Sequence, residues 1–168
     1  MPKREKVLWA SLWAVTSVLI ILQIILGFVY YSETDNQVLR YLGWGIFALS
    51  AYFGWQQIIT LRKRGKVAKG KSYVHTTILV DTGIYAIIRH PQYFAFILIN
   101  LAIILIAQYR LITAIGIISI ILSYLIILEE DQSCLKKFGK DYEQYMENVP
   151  MINIFSGTIR FLKRKLLL

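Results

Sequence analysis

RHPQYFAFILINLAIILIAQYRLITAIGIISIILSYLIILEED, Arg89 to Asp131, is the stretch on which the fold turns. It is apolar from Tyr93 to Gln108 and again from Leu111 to Leu128, and the only polar break between the two runs is Gln108-Tyr109-Arg110. A helix crosses a bilayer with roughly 20 apolar residues, so the second run is long enough and the first is short. With so little chain between them, the two runs are predicted to form a tight antiparallel hairpin of helices. Such a hairpin brings its polar flanks, Arg89-His90-Pro91-Gln92-Tyr93 and Glu129-Glu130-Asp131, to the same membrane edge. Ionisable groups gathered at a membrane are costly and are functional candidates by default.

Upstream, Val7–Tyr31 and Val38–Leu61 are two further apolar runs. The first follows Lys3, Arg4 and Lys6 as a signal peptide would. It exceeds the usual apolar region of about 7 to 15 residues and ends without a small-residue cleavage site, so it is read as a retained anchor. A composition that is 57% hydrophobic, with mean hydropathy +0.53, is too apolar for an ordinary soluble domain. The expectation is an all-α polytopic membrane protein with about four transmembrane helices. It is read as a single domain over 1–168, without internal repeats: two amino-terminal spans in 7–61, a basic loop and the RHPQY motif in 62–92, the hairpin in 93–128, and a polar segment in 129–168. With four spans, all of the 19 basic residues except Arg40 and Arg110 fall on one side. The positive-inside rule then places both termini in the cytoplasm.

The net charge of +9 does not indicate a nucleic-acid partner, because the basic residues border apolar helices and no soluble domain presents them to a duplex. Anionic headgroups of membrane lipids are the expected counterpart. Cys134 is the lone cysteine, which excludes an internal disulfide or a thiolate cluster. His75 and His90 lack the spacing of a zinc or iron motif, and no metal is expected.

The loop from Arg62 to Thr82 is long for a helical bundle. Its first half, RKRGKVAKGK, reads as solvated or headgroup-bound. Its second half, YVHTTILVDTG, reads as extended and closed by a turn at Gly83. Ile84 to Arg89 is predicted as a short helical segment with Tyr85 and Arg89 on one face, stopped by Pro91. Proline suits the first position of a new helix, whose unpaired amides at Gln92 and Tyr93 would receive an anion. Either a bound carboxylate sits there with His90 and Tyr93, or the motif is a proline-marked helix start with interfacial anchors.

The three adjacent acids repel one another and call for a cation, whether Arg89, Lys136 or a ligand. Beyond them, Lys136-Lys137-Phe138-Gly139 reads as a helix end with a glycine cap. Asp141-Tyr142-Glu143-Gln144 reads as a capping box opening a short helix to Asn148. After Pro150, Met151–Leu168 reads as an amphipathic tail lying on the membrane.

LVDTGIYAIIRHPQY from Leu79, an apolar hairpin, EED, FGKDYEQY from Phe138 and the Val149-Pro150 pair occur in this order. The pattern resembles the isoprenylcysteine carboxyl methyltransferase family and its phospholipid methyltransferase relatives, over less than half of the chain. The resemblance implies a multi-span enzyme that binds S-adenosylmethionine at the cytosolic face and releases S-adenosylhomocysteine. Its acceptor would be lipophilic: an isoprenylcysteine-like carboxylate, or a lipid amine or thiol.

Carried onto this chain, the resemblance places Leu79 and Val80 beside the adenine and Gly83 at a close approach. Tyr85 and Tyr142 would face the cation or the adenine. His90 and Tyr93 would hold the carboxylate, and Glu129 with Glu130 the ammonium or ribose. Arg89 would orient an anionic acceptor, whereas an amine would require Glu130 to take a proton. The chain departs from the family pattern in three places. The acidic pair falls on Glu129-Glu130 or Glu130-Asp131, Ala95 stands where many relatives carry glycine, and His75 lies farther from Leu79-Val80 than the corresponding histidine. A reductase relative using NADPH and a non-catalytic membrane scaffold are the alternatives.

Overall fold

The computed structural model describes residues 3–30 and 36–166. The Tyr31 end of the first apolar run, and the side chains of Lys3, Arg4 and Lys6 that enter the charge count, lie outside the described residues. Six α-helices are described: α1 (Lys3–Val29), α2 (Gln37–Arg64), α3 (Pro91–Ala107), α4 (Arg110–Phe138), α5 (Lys140–Asn148) and α6 (Ile154–Leu166). A single 3-10 turn covers Gly83–Ala86, and there is no strand among the described residues.

The chain divides into two compact units. The first comprises residues 1–51 and 95–130. Its surface is apolar: Val18, Ile21, Ile25 and Phe28 of α1 and Ile117, Ile118 and Ile121 of α4 are all exposed. Its interior holds the polar groups, with Thr16, Gln23, Asn100, Ser119 and Ser123 buried. Gln23 Nε2 donates to the carbonyls of Asn100 and Ile112, each at 3.3 Å, and so ties α1 to α3 and α4. Ser50 Oγ donates to the Ala95 carbonyl at 2.8 Å, tying α2 to α3. Water would penalise this arrangement and a hydrocarbon solvent favours it, since polar groups there must find partners within the protein.

Trp9–Val29 and Arg110–Phe138 are long and apolar enough to cross a membrane, while α3 is a shorter apolar helix. The length of α2 is sufficient, but Arg40, Gln56, Gln57 and the Arg62-Lys63-Arg64 end lower its apolarity. Between α3 and α4 only Gln108 and Tyr109 intervene. Gln108 takes a left-handed conformation (φ 49°), and its side-chain amide exchanges two hydrogen bonds with the Asn36 backbone. The Tyr109 ring stacks on Tyr30 with centroids 4.3 Å apart.

The second unit comprises residues 52–94 and 131–168. Two local expectations are corrected here. The predicted helix over Ile84–Arg89 is only the Gly83–Ala86 turn, because the Arg89 and His90 amides bond instead to the Pro150 and Met151 carbonyls, at 3.0 and 3.2 Å. The predicted capping box at Asp141 is absent. Helix α5 starts at Lys140 behind Gly139 (φ 58°), with no side-chain cap. Gly139 serves both helices: its N–H bonds to the Leu135 carbonyl, ending α4, and its own carbonyl receives the Tyr142 N–H, opening α5. Asp141 and Glu143 in the first turn still favour the positive end of the helix dipole.

Gly157 of α6 lies directly against the Ile87 carbonyl, so that a Cβ there would collide with backbone. Overpacking of this kind costs about 1–3 kcal/mol, and Gly157→Ala is expected to destabilise the second unit by that amount. Thermal unfolding in detergent measures it; an unchanged midpoint would mean that α6 moves away without cost.

Candidate functional site

Pro91 starts α3 and leaves Arg89 and His90 on the non-helical residues before it, where their backbones are held by the 150–151 segment. Both side chains turn inward, to 8% and 5% exposure. Helix α4 runs unbroken past its apolar part and delivers Asp131, 4% exposed, to meet them. Arg89 Nη2 lies 3.1 Å from Asp131 Oδ2, and His90 Nε2 lies 2.7 Å from Asp131 Oδ1. The Tyr142 hydroxyl donates to the same Oδ1 at 2.5 Å. An ionised carboxylate can only accept, so His90 bears its proton on Nε2 in this arrangement.

These contacts set the electrostatics. Burial works to raise the Asp131 carboxyl, but the hydrogen bond and charge of His90, the Tyr142 hydroxyl and the Arg89 charge together hold it below the usual carboxylate range. Tyr142 is pushed far up, first by burial and then by its bond to Asp131, and burial likewise raises Tyr145. Both phenols therefore remain neutral donors at physiological pH.

A second layer holds the turn before Arg89. The Tyr145 hydroxyl donates to the Tyr85 carbonyl at 2.6 Å, and Arg164 Nη2 to the Ala86 carbonyl at 2.7 Å. The Tyr85 hydroxyl reaches Gln57 Oε1 at 3.4 Å. Gly83 (φ 64°) has the Thr60 side chain within 3.1 Å of where a Cβ would stand, so the close approach needs a glycine. Leu79 packs on the buried cluster of Tyr142, Tyr145 and Val149.

Of the residues named from sequence, Arg89, His90 and Tyr142 meet at one carboxylate, and the Tyr93 ring lies edge-on to His90 at 5.7 Å. Tyr85 and Leu79 lie in the surrounding layer, and Val80 is buried. Glu129 is exposed and Glu130 half-buried on the preceding residues of α4, in the first unit. His75 is exposed on the basic loop. The carboxylate that gathers the cluster is Asp131, which sequence reasoning held only as one reading of the acidic pair's register. Tyr145, Gln57 and Arg164 were not singled out. The spacing of Tyr145 from Tyr142, one helical turn within FGKDYEQY, was the available signal for it.

A profile of phospholipid methyltransferases matches residues 38–141, well over half of the chain. The chain belongs to the phospholipid methyltransferase family. That family groups with the isoprenylcysteine carboxyl methyltransferases, as membrane methyltransferases. The match reaches back through α2, which the sequence motifs did not touch, and includes Arg89, His90 and Asp131. No curated protein and no solved structure matches the chain.

Proposed function

We propose that this phospholipid methyltransferase family member transfers a methyl group from S-adenosylmethionine to a lipophilic acceptor, with Arg89, His90 and Tyr142 forming the polar floor of its site. The observation that carries the reading is Arg89 Nε, which is buried and has no hydrogen-bond partner among the described residues although the same guanidinium is anchored on Asp131. An orphaned donor on a cation fixed in place is a receptor for an anionic oxygen, which both the cofactor carboxylate and an acidic acceptor offer.

S-adenosylmethionine supplies an electrophilic methyl on a sulfonium. The protein's part is then to position and to exclude water, with little covalent help. Asp131 holds Arg89 and His90 in one orientation, leaving Arg89 Nε to bind and align the anionic group. Tyr93 and the start of α3 extend the anion site, and Glu129 and Glu130 supply acceptors for the ammonium or ribose hydroxyls. Leu79, Val80 and Gly83 form the apolar wall for the adenine, with Tyr85 in the layer behind. A carboxylate acceptor needs no base, such as an isoprenylcysteine-like substrate would present. A lipid amine would pass its proton to Glu130, and a thiol would react as the thiolate. The proposal includes a multi-pass topology of four spans with both termini and the cofactor pocket on the cytoplasmic side, on the grounds of the basic-residue asymmetry.

Equilibrium binding of S-adenosylmethionine to the purified full chain tests the site. Binding is expected in the parent protein, resistant to competition by NADPH, and lost in His90→Ala and in Glu130→Ala. Undiminished binding in both variants would remove the proposed site, and displacement by NADPH would favour a reductase. Labelled donor offered with a panel of lipophilic carboxylates, amines and thiols then identifies the acceptor class by mass.

A further inference from the structure

Helix α6 faces the wrong way for a helix in water. Phe155, Ile159, Leu162 and Leu166 are exposed by 82, 55, 52 and 84%. At about 100° per residue these four positions fall within roughly 60° of one another, forming a single apolar stripe. The opposite side of the helix is the one that holds the protein. Gly157 packs on the Ile87 carbonyl, Arg164 bonds the Ala86 carbonyl, and Arg160 Nη1 bonds the Glu147 carbonyl at 2.9 Å. Lys163 and Lys165 lie about 80° to either side of the stripe, where a long side chain can lay its stem along an apolar surface and keep its ammonium at the polar boundary.

We infer that α6 is an anionic-lipid-binding helix that seats its Phe155–Leu166 stripe in the membrane interface and thereby braces the backbone of the Arg89-His90 segment. The occupant is the bilayer's own anionic surface, because the stripe is flanked on both sides by cations and the chain belongs to a family of membrane enzymes. The brace follows from the connections already described. Among the described residues α6 meets Ala86, Ile87, Glu147 and Pro150, the first two within three residues of Arg89. The amides of Arg89 and His90 are in turn bonded to Pro150 and Met151, on the short link that leads into α6. Whatever fixes α6 therefore fixes the segment that presents the guanidinium and the imidazole. This inference does not depend on the identity of the cofactor.

Hydrogen exchange on the full chain in nanodiscs tests it, comparing phosphatidylcholine alone with phosphatidylcholine containing phosphatidylserine. The anionic lipid is expected to slow exchange both in α6 and at the Arg89 and His90 amides, by up to about fivefold for each flanking lysine. Lys163→Gln with Lys165→Gln should abolish the response to phosphatidylserine, and Phe155→Ser with Leu166→Ser should raise exchange in both lipids. These four side chains are exposed, so the fold does not depend on them. Protection in α6 that ignores lipid charge would overturn lipid recognition. Slowing confined to α6, with residues 89 and 90 unaffected, would overturn the brace. Loss of cofactor binding alone, with these exchange patterns intact, would count against the proposed function and leave this inference standing.

Discussion

Replacing Asp131 with alanine is expected to cost about 3–5 kcal/mol of stability, the largest effect of any single substitution in the second unit. One carboxylate accepts from Arg89, His90 and Tyr142 at once, and all four residues are buried. Removing the anion leaves a buried guanidinium uncompensated, and the penalty for breaking such a pair from one side greatly exceeds the net value of the pair itself. Asp131→Asn keeps the shape and one acceptor oxygen, and should fall between the parent and the alanine variant. Because the Asp131 carboxyl is held below the usual range, its contribution is fully present above the carboxylate range of the unfolded chain. It is lost as the pH falls through the lower folded value. Thermal unfolding in detergent from neutral to acid pH should therefore show a decline below about pH 4 that Asp131→Asn flattens. A parent-like melting temperature for Asp131→Ala would show that the cluster does not hold the unit together.

Arg89→Gln is expected to reduce methyl transfer by about 100-fold or more, the loss associated with misplacing a reacting group by roughly an ångström. The glutamine can still hydrogen-bond Asp131, but it cannot both anchor there and offer a charged donor to an anion. Stability should fall less than in Asp131→Ala, since the remaining anion can still bond His90 and Tyr142. A carboxylate acceptor should show the loss in both kcat and KM, because Arg89 would bind and align it. An amine acceptor should keep its KM nearly unchanged. Full activity in Arg89→Gln, measured with whichever acceptor the panel returns, would reduce Arg89 to a structural ion-pair partner.

The sequence disclosed the architecture through features that depend only on near neighbours along the chain. The apolar lengths marked α1 and α4, Gln108-Tyr109-Arg110 marked the turn between α3 and α4, Pro91 marked the start of α3, and Gly139 marked the junction of α4 and α5. Arg89 and His90 were identifiable as chemistry because ionisable groups beside a membrane run are costly without a purpose, whereas Tyr142 entered only through the family resemblance that FGKDYEQY carries. Local rules failed where a backbone group had a distant competitor. Ile84–Arg89 has a helical spacing, but the Pro150 and Met151 carbonyls claim its last amides, and no window of sequence contains both partners. The capping box at Asp141 failed for the complementary reason: a positive-φ glycine two residues earlier had already satisfied the junction.

By itself, then, the sequence determined an all-helical membrane protein and which side chains carry its charge, since apolar length and residue chemistry are properties of the chain alone. The methyltransferase assignment came from the resemblance of its ordered motifs to a family and from the family match. Only the tertiary structure decided which of three consecutive acids gathers those side chains. Along a helix each successive residue is turned by about 100°, so consecutive acids face different directions, and Asp131 is the one whose side chain is buried against Arg89, His90 and Tyr142 in the second unit. Around it Tyr142, Tyr145 and Val149 pack on Cys134 and Leu135, which are near in sequence, and on Leu79, which is more than 60 residues away, a contact no local window of sequence contains.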